Sequence, residues 1–487
     1  MNPASRTLRS APGLIAVGLV LLLLALPAGA LAATKPQKTT GALTQLRGKA
    51  GCLVDRSKPA ARCGTARALK GPGPFMGSRA IAITADGKNV YVASSESNAI
   101  AIFKRNKKTG ALAQHSGKAG CIAVKGANGC ATAVGLDGPN SVALSPDGRN
   151  VYATSRDSSS ITVFHRSPKT GALVQLPGAE GCLTALPQPA PVCGTGRALL
   201  GPDVVVVSPD GKNVYAGSFF GNAVAVFARN PSTGGLSQPA GTAGCIAESA
   251  SSGCAAGVAL GAVEGLAIST DGTAVYAGAA LSNSLTVLTR DPSTGALTQA
   301  TNGSGCIVNA TLAGCTVGVQ LSGANAVAVS PKGGDVYVTS LFSNSVTSFT
   351  STSSASVLAQ MPGVTACTVW LRAVGCSFGH ALNAPEGLAI SPDGKSLYAA
   401  AFLSGAIDVF DRFPQAGPEE GEKPEPAGRV TQKPNRSGCL APKSVPSCSP
   451  GRALGGVSSI AVSPDGRFVY STAFGSNAVD VFRRTTR

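Results

Sequence analysis

Residues 145–155 read SPDGRNVYATS, and the phrase returns with small edits along the whole chain. It is TADGKNVYVAS from Thr84, SPDGKNVYAGS from Ser208, STDGTAVYAGA from Ser269, SPKGGDVYVTS from Ser330, SPDGKSLYAAA from Ser391 and SPDGRFVYSTA from Ser463. All seven tyrosines of the 487-residue chain sit in it: Tyr91, Tyr152, Tyr215, Tyr276, Tyr337, Tyr398 and Tyr470, at spacings of 61, 63, 61, 61, 61 and 72. A fixed period of this length is a repeat architecture, in which each unit buries its apolar face against the next.

One unit reads as four short strands. SVALS (141–145) alternates and stops at Pro146-Asp147-Gly148, where proline presets φ and glycine accepts φ > 0. NVYATS returns antiparallel, SITVFHR (160–166) follows a polar turn, and ALVQL (172–176) follows the turn SPKTG. Four antiparallel strands with turns between them make a propeller blade. The expected fold is all-β: a seven-bladed β-propeller of four-stranded antiparallel blades. The ends of the chain predict how it closes. GALTQL (41–46) is a lone fourth strand and NAVDVF (477–482) a terminal third strand. Pairing the two completes the last blade and removes exposed edges.

The 14 cysteines fall into seven pairs at fixed offsets before the tyrosines. Cys52 goes with Cys63, Cys121 with Cys130, Cys182 with Cys193 and Cys245 with Cys254. Cys306 goes with Cys315, Cys367 with Cys376 and Cys439 with Cys448. The second cysteine lies 22 residues upstream of the tyrosine in six repeats and 28 in the first. An even count at fixed spacing in an exported chain predicts disulfides. Zinc is the rival, but there is no C-x-x-C and no histidine beside the pairs. Export is predicted by residues 1–32, with Arg6 and Arg9 before the apolar run GLIAVGLVLLLLAL and Ala30-Leu31-Ala32 as the cleavage site. The alternative, a membrane anchor, asks for a longer apolar run. Residues 33–487 are then a single propeller, extracellular or in the cell envelope, with no membrane span after cleavage and expected as a monomer. The Pro/Glu-rich stretch 414–427 reads as a disordered insert in blade six.

The formal net charge is +17, and +15 without Arg6 and Arg9. The cations are scattered through turns, so nucleic acid is not the expected partner. A small molecule or an envelope component is.

Propeller geometry puts the start of each first strand at the mouth of the central channel. Seven positions before the Asp of each SPDG stand Arg79, Asn140, Asp203, Glu264, Asn325, Glu386 and Ser458. This ring is either a solvated rim or a set of ligand contacts. The turns after each VYxxS share that face. They are polar in blades one and two (Glu96, Arg156, Asp157) and apolar later (Phe219, Phe220, Leu281, Leu341, Phe342, Phe402, Leu403, Phe474). Such an arc suits a partner, or packs under the cysteine loops with Trp370 as its cap.

The segments VYVAS, VYATS and VYVTS after SPDG resemble the bacterial YVTN-type repeat, and the chain from Gly41 to Phe482 is similar to the seven-bladed lactonase-like propeller family. The resemblance implies fold strongly and function weakly, since such propellers host lactonases and surface proteins alike. Metal-dependent relatives imply a channel cation, for which Asp203, Glu264, Asn325 and Glu386 are the oxygen donors and calcium the cofactor. Metal-free relatives carry a GPRH-like segment; GSRAIAI here keeps Arg79 and has Ala80 in place of the histidine. Of the three histidines, His115 and His165 fall on outer positions, and His380 takes a place held elsewhere by Arg67, Arg197 and Arg452. His380 as base, Glu386 as its partner and Arg79 as oxyanion clamp form the candidate catalytic trio. Three functions follow as expectations: a propeller binding a small molecule at the channel mouth, with hydrolysis left open; a non-catalytic cell-surface scaffold; and a calcium-dependent lactone hydrolase.

Overall fold

The computed structural model describes residues 40–73, 79–187, 192–248, 253–352, 354–413 and 427–486. The leader 1–32 and all but the last residue of the insert 414–427 lie outside the described residues. Seven sheets, antiparallel except at their outer edge, succeed one another around a central channel. In the second blade Pro139–Leu144, Asn150–Ser155 and Ser160–Arg166 pair in sequence, with Tyr152 opposite Ala143 and Val163. The SPDG turn is held by its own side chains. Ser145 Oγ donates to Asp147 Oδ1 at 2.6 Å and accepts from the Asn150 amide at 3.0 Å, while Gly148 takes φ 67°.

The fourth strand differs from the four-strand expectation. Leu173–Gln175 covers one half of the third strand, a short 3-10 turn at Gly178–Glu180 interrupts it, and Cys182–Thr184 covers the other half. Gly194–Thr195 then adds a parallel strand.

All seven predicted disulfides form, each within the outer edge of one sheet. Cys52–Cys63 and Cys182–Cys193 close loops of sequence separation 11. Cys121–Cys130, Cys245–Cys254, Cys306–Cys315, Cys367–Cys376 and Cys439–Cys448 close shorter ones of separation 9. Cα–Cα distances of 4.8–4.9 Å throughout lie inside the range a disulfide can bridge. In each blade the bond ties the second half of the fourth strand to the parallel strand beyond it. Cys182–Cys193, for example, joins the connection between Cys182–Thr184 and Gly194–Thr195.

Closure follows the same pattern. Leu43–Gln45 pairs Ala478–Arg484 in the register Leu43 to Arg484, and Cys52–Asp55 and Gly64–Ala66 join the same sheet. The N-terminal segment thus supplies the last blade with its whole outer edge.

Two polar clasps repeat at the blade junctions. Near the SPDG end, each tyrosine hydroxyl donates to a turn carbonyl of the next blade and, at all junctions but one, accepts from an arginine that ends that blade's third strand. Tyr152 donates to Gly234 O at 2.9 Å and accepts from Arg229 Nε at 2.8 Å, while Arg229 also reaches Gly211 O and Asp147. Along the outer rim, a fourth-strand glutamine grips the backbone of the preceding blade. Gln114, for one, accepts from Arg67 N and donates to Arg67 O and Gly120 O. These bonds satisfy buried groups that would otherwise cost stability.

Candidate functional site at the channel

Each polar ring residue from blade two onward sits on a β-bulge. The first strands shift register between Pro139 and Ser141, Pro202 and Val204, Val263 and Gly265, Ala324 and Val327, Pro385 and Gly387, and Val457 and Ser459. A bulge re-aims one side chain, here Asn140, Asp203, Glu264, Asn325, Glu386 and Ser458. Glycine follows both glutamates for a steric reason. A Cβ on Gly265 would lie 1.6 Å from the Asn325 carbonyl oxygen, and one on Gly387 would lie 2.5 Å from that of Ser458.

These six side chains are buried, none more than 1% exposed. Several bond to the neighbouring blade. Asn140 Nδ2 donates to Asp203 Oδ1 at 2.5 Å, Asn325 Nδ2 to Pro385 O at 3.2 Å, and Ser458 Oγ to Gly73 O at 2.6 Å. Asp203 is also ion-paired to Arg156, whose Nε lies 2.8 Å from Oδ1. The Arg156 guanidinium in turn stacks 4.8 Å from the centre of the Phe219 ring. Burial pushes the Asp203 carboxyl up to about 6, against the pull of Arg156 and Asn140. Glu264 is pushed well above the usual carboxylate range by burial and by the Asp203 charge, with Arg156 opposing.

The four oxygen donors expected for calcium do not fit a cation. Asn325 Oδ1 already accepts from Thr339 Oγ1 at 2.6 Å and from the Ala326 amide at 2.8 Å. Asp203 is committed to Arg156 and Asn140, and among the described residues no three acidic, histidine or cysteine side chains gather around one point. No step is routed through a metal.

Arg79 is the exception in the ring. Measured against blade two, where Pro139 pairs Ser155 and Val142 pairs Ala153, blade one pairs Pro72 with Ser94 and Ile81 with Val92. The chain is therefore six residues longer between Pro72 and Ile81 than in blade two, which accounts for the 28-residue offset of the first repeat. Arg79 lies in this longer segment, and its guanidinium donates to Val327 O on blade five at 3.2 Å. It borders a channel cavity of about 550 Å³ walled by apolar first-strand residues such as Ile81, Leu144, Val207 and Ile390, with Pro209 and Pro331 from the SPDG turns. The cavity therefore reaches the SPDG end of the channel, away from the mouth where the sequence pointed.

His380 lies elsewhere. Its amide donates to Gln432 Oε1 at 2.6 Å, its carbonyl accepts from Gln432 Nε2 at 3.0 Å, and its exposed ring stacks edge-on against Phe378. Gln432 is on the fourth strand and Glu386 on the first. Three strand spacings of about 4.8 Å keep His380 some ~14 Å across the blade from Glu386's strand. The structure does not bring the trio together. The Gln432 clasp matches those on Arg67, Val134, Arg197, Val258, Val319 and Arg452, so this position serves through its backbone in every blade, and only the arginines add side-chain bonds to the neighbouring blade.

The turn residues divide by one position. Phe220, Leu281, Phe342 and Leu403, at intervals of 61 residues, are 57, 66, 61 and 64% exposed. Of their preceding neighbours, Leu341 is buried and Phe219 and Phe402 are half-buried. Trp370, half-buried, packs on the core between blades five and six, and its amide donates to Asn344 O at 3.0 Å.

The family profile described as "Lactonase, 7-bladed beta-propeller" matches residues 69–125, 129–193 and 266–420, more than half of the chain. The chain belongs to that lactonase family of seven-bladed propellers. Solved structures similar to this lactonase-family propeller include the periplasmic gluconolactonase of Pseudomonas aeruginosa, at 19% identity over 80% of this chain and 96% of that one, TM-score 0.47. A putative 6-phosphogluconolactonase of Bacteroides fragilis matches at 19% identity over 72% and 84%, TM-score 0.46. Kuenenia stuttgartiensis hydrazine synthase matches at 17% identity over 85% and 98%, TM-score 0.48. No curated protein matches in sequence. Seven disulfides fit an extracellular or envelope setting, and among the described residues no helix is long and apolar enough to cross a membrane.

Proposed function

We propose that the protein is an exported binding propeller of the lactonase family that holds a small anionic molecule in its channel, with Arg79 as anchor. The supporting observation is the state of Arg79. Burial alone lowers its guanidinium to about 10, and among the described residues no carboxylate lies within ion-pair distance. A half-buried cation without a counter-charge carries a desolvation cost, and an anion supplies that charge. Apolar walls beside it suit an aliphatic or ring body, as in a hydroxy acid or the carboxylate of an opened lactone. Hydrolysis is not part of this reading, because His380 is remote from Arg79's channel and no other histidine takes its place.

Calorimetric titration with hexanoate and gluconate tests it. Arg79→Met should abolish binding of whichever anion the wild type takes. If neither binds, or the variant binds equally well, the reading fails. Finding the chain in the medium or envelope fraction, cleaved near Ala32, would test export.

A second reading rests on the exposed arc of Phe220, Leu281, Phe342 and Leu403, which faces the polar Glu96 and Asp157 across the channel mouth. A scaffold would dock an apolar envelope component there. Phe220→Ser with Phe342→Ser should then lose adsorption to envelope fractions and keep anion binding. Unchanged adsorption would count against it.

A further inference from the structure

Six of the seven blade junctions carry the arginine clasp. Arg105, Arg166, Arg229, Arg290, Arg412 and Arg484 each donate Nε to a tyrosine hydroxyl of the preceding blade at 2.7–2.9 Å. Each also donates Nη1 to the glycine carbonyl of its own SPDG-type turn. In Arg229 and Arg290 the second Nη meets Oδ2 of the preceding blade's SPDG aspartate, Asp147 or Asp210, at 2.8 Å.

The junction of blades four and five is the exception. Ser351 stands 61 residues after Arg290, where the arginine would be. Its tyrosine is still present. Tyr276 is buried, and its hydroxyl donates to Ala355 O at 2.6 Å. The aspartate is present too. Asp271 Oδ1 is held by Ser269 Oγ and the Thr273 amide, while Oδ2 has no hydrogen-bond donor among the described residues. The glycine carbonyl is that of Gly333, which accepts one bond, from Ser330 Oγ, and has a second lone pair. In place of the arginine side chain there is a cavity of about 400 Å³, bounded by Asp271, Tyr276, Gly333, Gly334, Ser351 and Ala355. Ala274 stands where other junctions have an asparagine (Asn150 or Asn213) that also bonds the arginine.

Lys332 also lines this cavity, yet it forms no ion pair with Asp271. Its presence in the SPDG position is compensated at the next junction instead, where Arg412 pairs with Asp335.

We propose that the blade four–five junction is a binding site for an alkylguanidinium group. Three acceptors stand where six arginines of the same molecule show that a guanidinium fits: Asp271 Oδ2, the Tyr276 hydroxyl oxygen and Gly333 O. The carboxylate supplies charge, and the planar fork of donors matches acceptors fixed by the backbone. An ammonium offers a point charge and meets the same acceptors less well.

The test uses the full mature chain and ethylguanidinium chloride, with ethylammonium chloride at equal ionic strength as control. Saturable millimolar binding of ethylguanidinium by calorimetry, with a rise in Tm that ethylammonium does not give, is the expected result. Ser351→Arg fills the site from within; it should melt above the wild type and lose the saturable binding. Asp271→Asn keeps the tyrosine and turn, and should weaken binding at least ~10-fold, as expected for a lost charge-assisted bond. Comparing free L-arginine with N-acetylarginine amide separates the two sources of the group: a small guanidino compound if the first binds more tightly, a chain-borne arginine if the second does. Absence of saturable ethylguanidinium binding overturns the proposal, as does equal binding by wild type and both variants. Neither outcome bears on anion binding at Arg79.

Discussion

Arg229 Nε donates to the Tyr152 hydroxyl at 2.8 Å across the junction of blades two and three, and the same hydroxyl donates onward to Gly234 O at 2.9 Å. The tyrosine of the repeated phrase is thus a relay between an arginine and a turn. Its ring fills the core, and its oxygen satisfies a buried guanidinium and a buried carbonyl at once.

Tyr152→Phe keeps the ring and removes the oxygen, leaving Arg229 Nε and Gly234 O without this partner. The expected cost is about 1–3 kcal/mol, the range for stranding buried polar groups. Tyr276→Phe loses only its bond to Ala355 O, because no arginine faces it, and should cost about 0.5–1.5 kcal/mol. Denaturant or thermal unfolding of both variants measures the difference. Equal losses would mean that the arginine adds nothing to the clasp.

The pH dependence of stability has two limbs of opposite sign. Asp203 rises from its ordinary 3.8 to about 6, chiefly through burial, and burial also raises Glu264, Asp408 and Asp480. A raised carboxyl binds its proton more tightly when folded. Its contribution is complete below 3.8 and is lost as pH climbs through about 6. The SPDG aspartates behave the other way. Burial alone would raise Asp147, but Ser145, the Arg149 amide and Arg229 outweigh it and hold it below 3.8. Asp210, Asp393 and Asp465 follow. Their contribution is present above 3.8 and fails as pH falls through their lowered values. Thermal melts across pH should therefore peak between about 4 and 6, and Asp203→Asn should flatten the upper limb. A maximum at neutral pH, unchanged in the variant, would contradict both assignments.

Closure of the ring depends on Gln45. Its Nε2 donates to Gly51 O, Arg452 O and Asp480 Oδ1, and its Oε1 accepts from Arg452 N. Gln45→Ala removes these bonds and strands part of the buried Asp480 carboxyl, for an expected loss of about 1–3 kcal/mol. Deleting residues 41–46 exposes the edge of Ala478–Arg484 and should drive self-association, seen as early elution on a sizing column. A monomer with an unchanged Tm would show that Cys52–Asp55 suffices to close the last blade.

The period of seven tyrosines made the fold legible, because one tyrosine per blade meets the same two partners at nearly every junction. The disulfides were legible for the same reason: each partner, from Cys63 to Cys448, recurs with the blade that holds it. The split fourth strand was not legible. The 3-10 turn at Gly178–Glu180 is set by a short run, Pro177-Gly178-Ala179-Glu180, that resembles any loop. At the ring, alignment found the bulge positions, yet the sequence said nothing of what the side chains bond. Asn140 and Asn325 read as ligand donors and prove to be inter-blade ties. The 28-residue offset was visible as a number, but only strand register shows that it enters between Pro72 and Ile81. The missing clasp was there too, as Ser351 in the register of Arg290, once the arginines were known to matter.

His380 offers the last prediction, because two different roles make opposite demands on it. As a catalytic base its imidazole would matter and its backbone would not. In the structure the reverse holds: Gln432 binds the His380 amide and carbonyl, and the ring is exposed beside Phe378. His380→Ala keeps both backbone bonds and should change stability by less than about 0.5 kcal/mol, as for other surface substitutions. It should also leave unchanged whatever turnover of sugar lactones or aryl esters the wild type displays. Gln432→Ala removes the clasp and a 2.8 Å donor to the buried Asp408 carboxyl, and should cost about 1–3 kcal/mol. If instead His380→Ala abolished a lactonase activity while Gln432→Ala kept it, the rim of blade six would be the active site. The channel would then have to be abandoned as the place where this propeller meets its ligand.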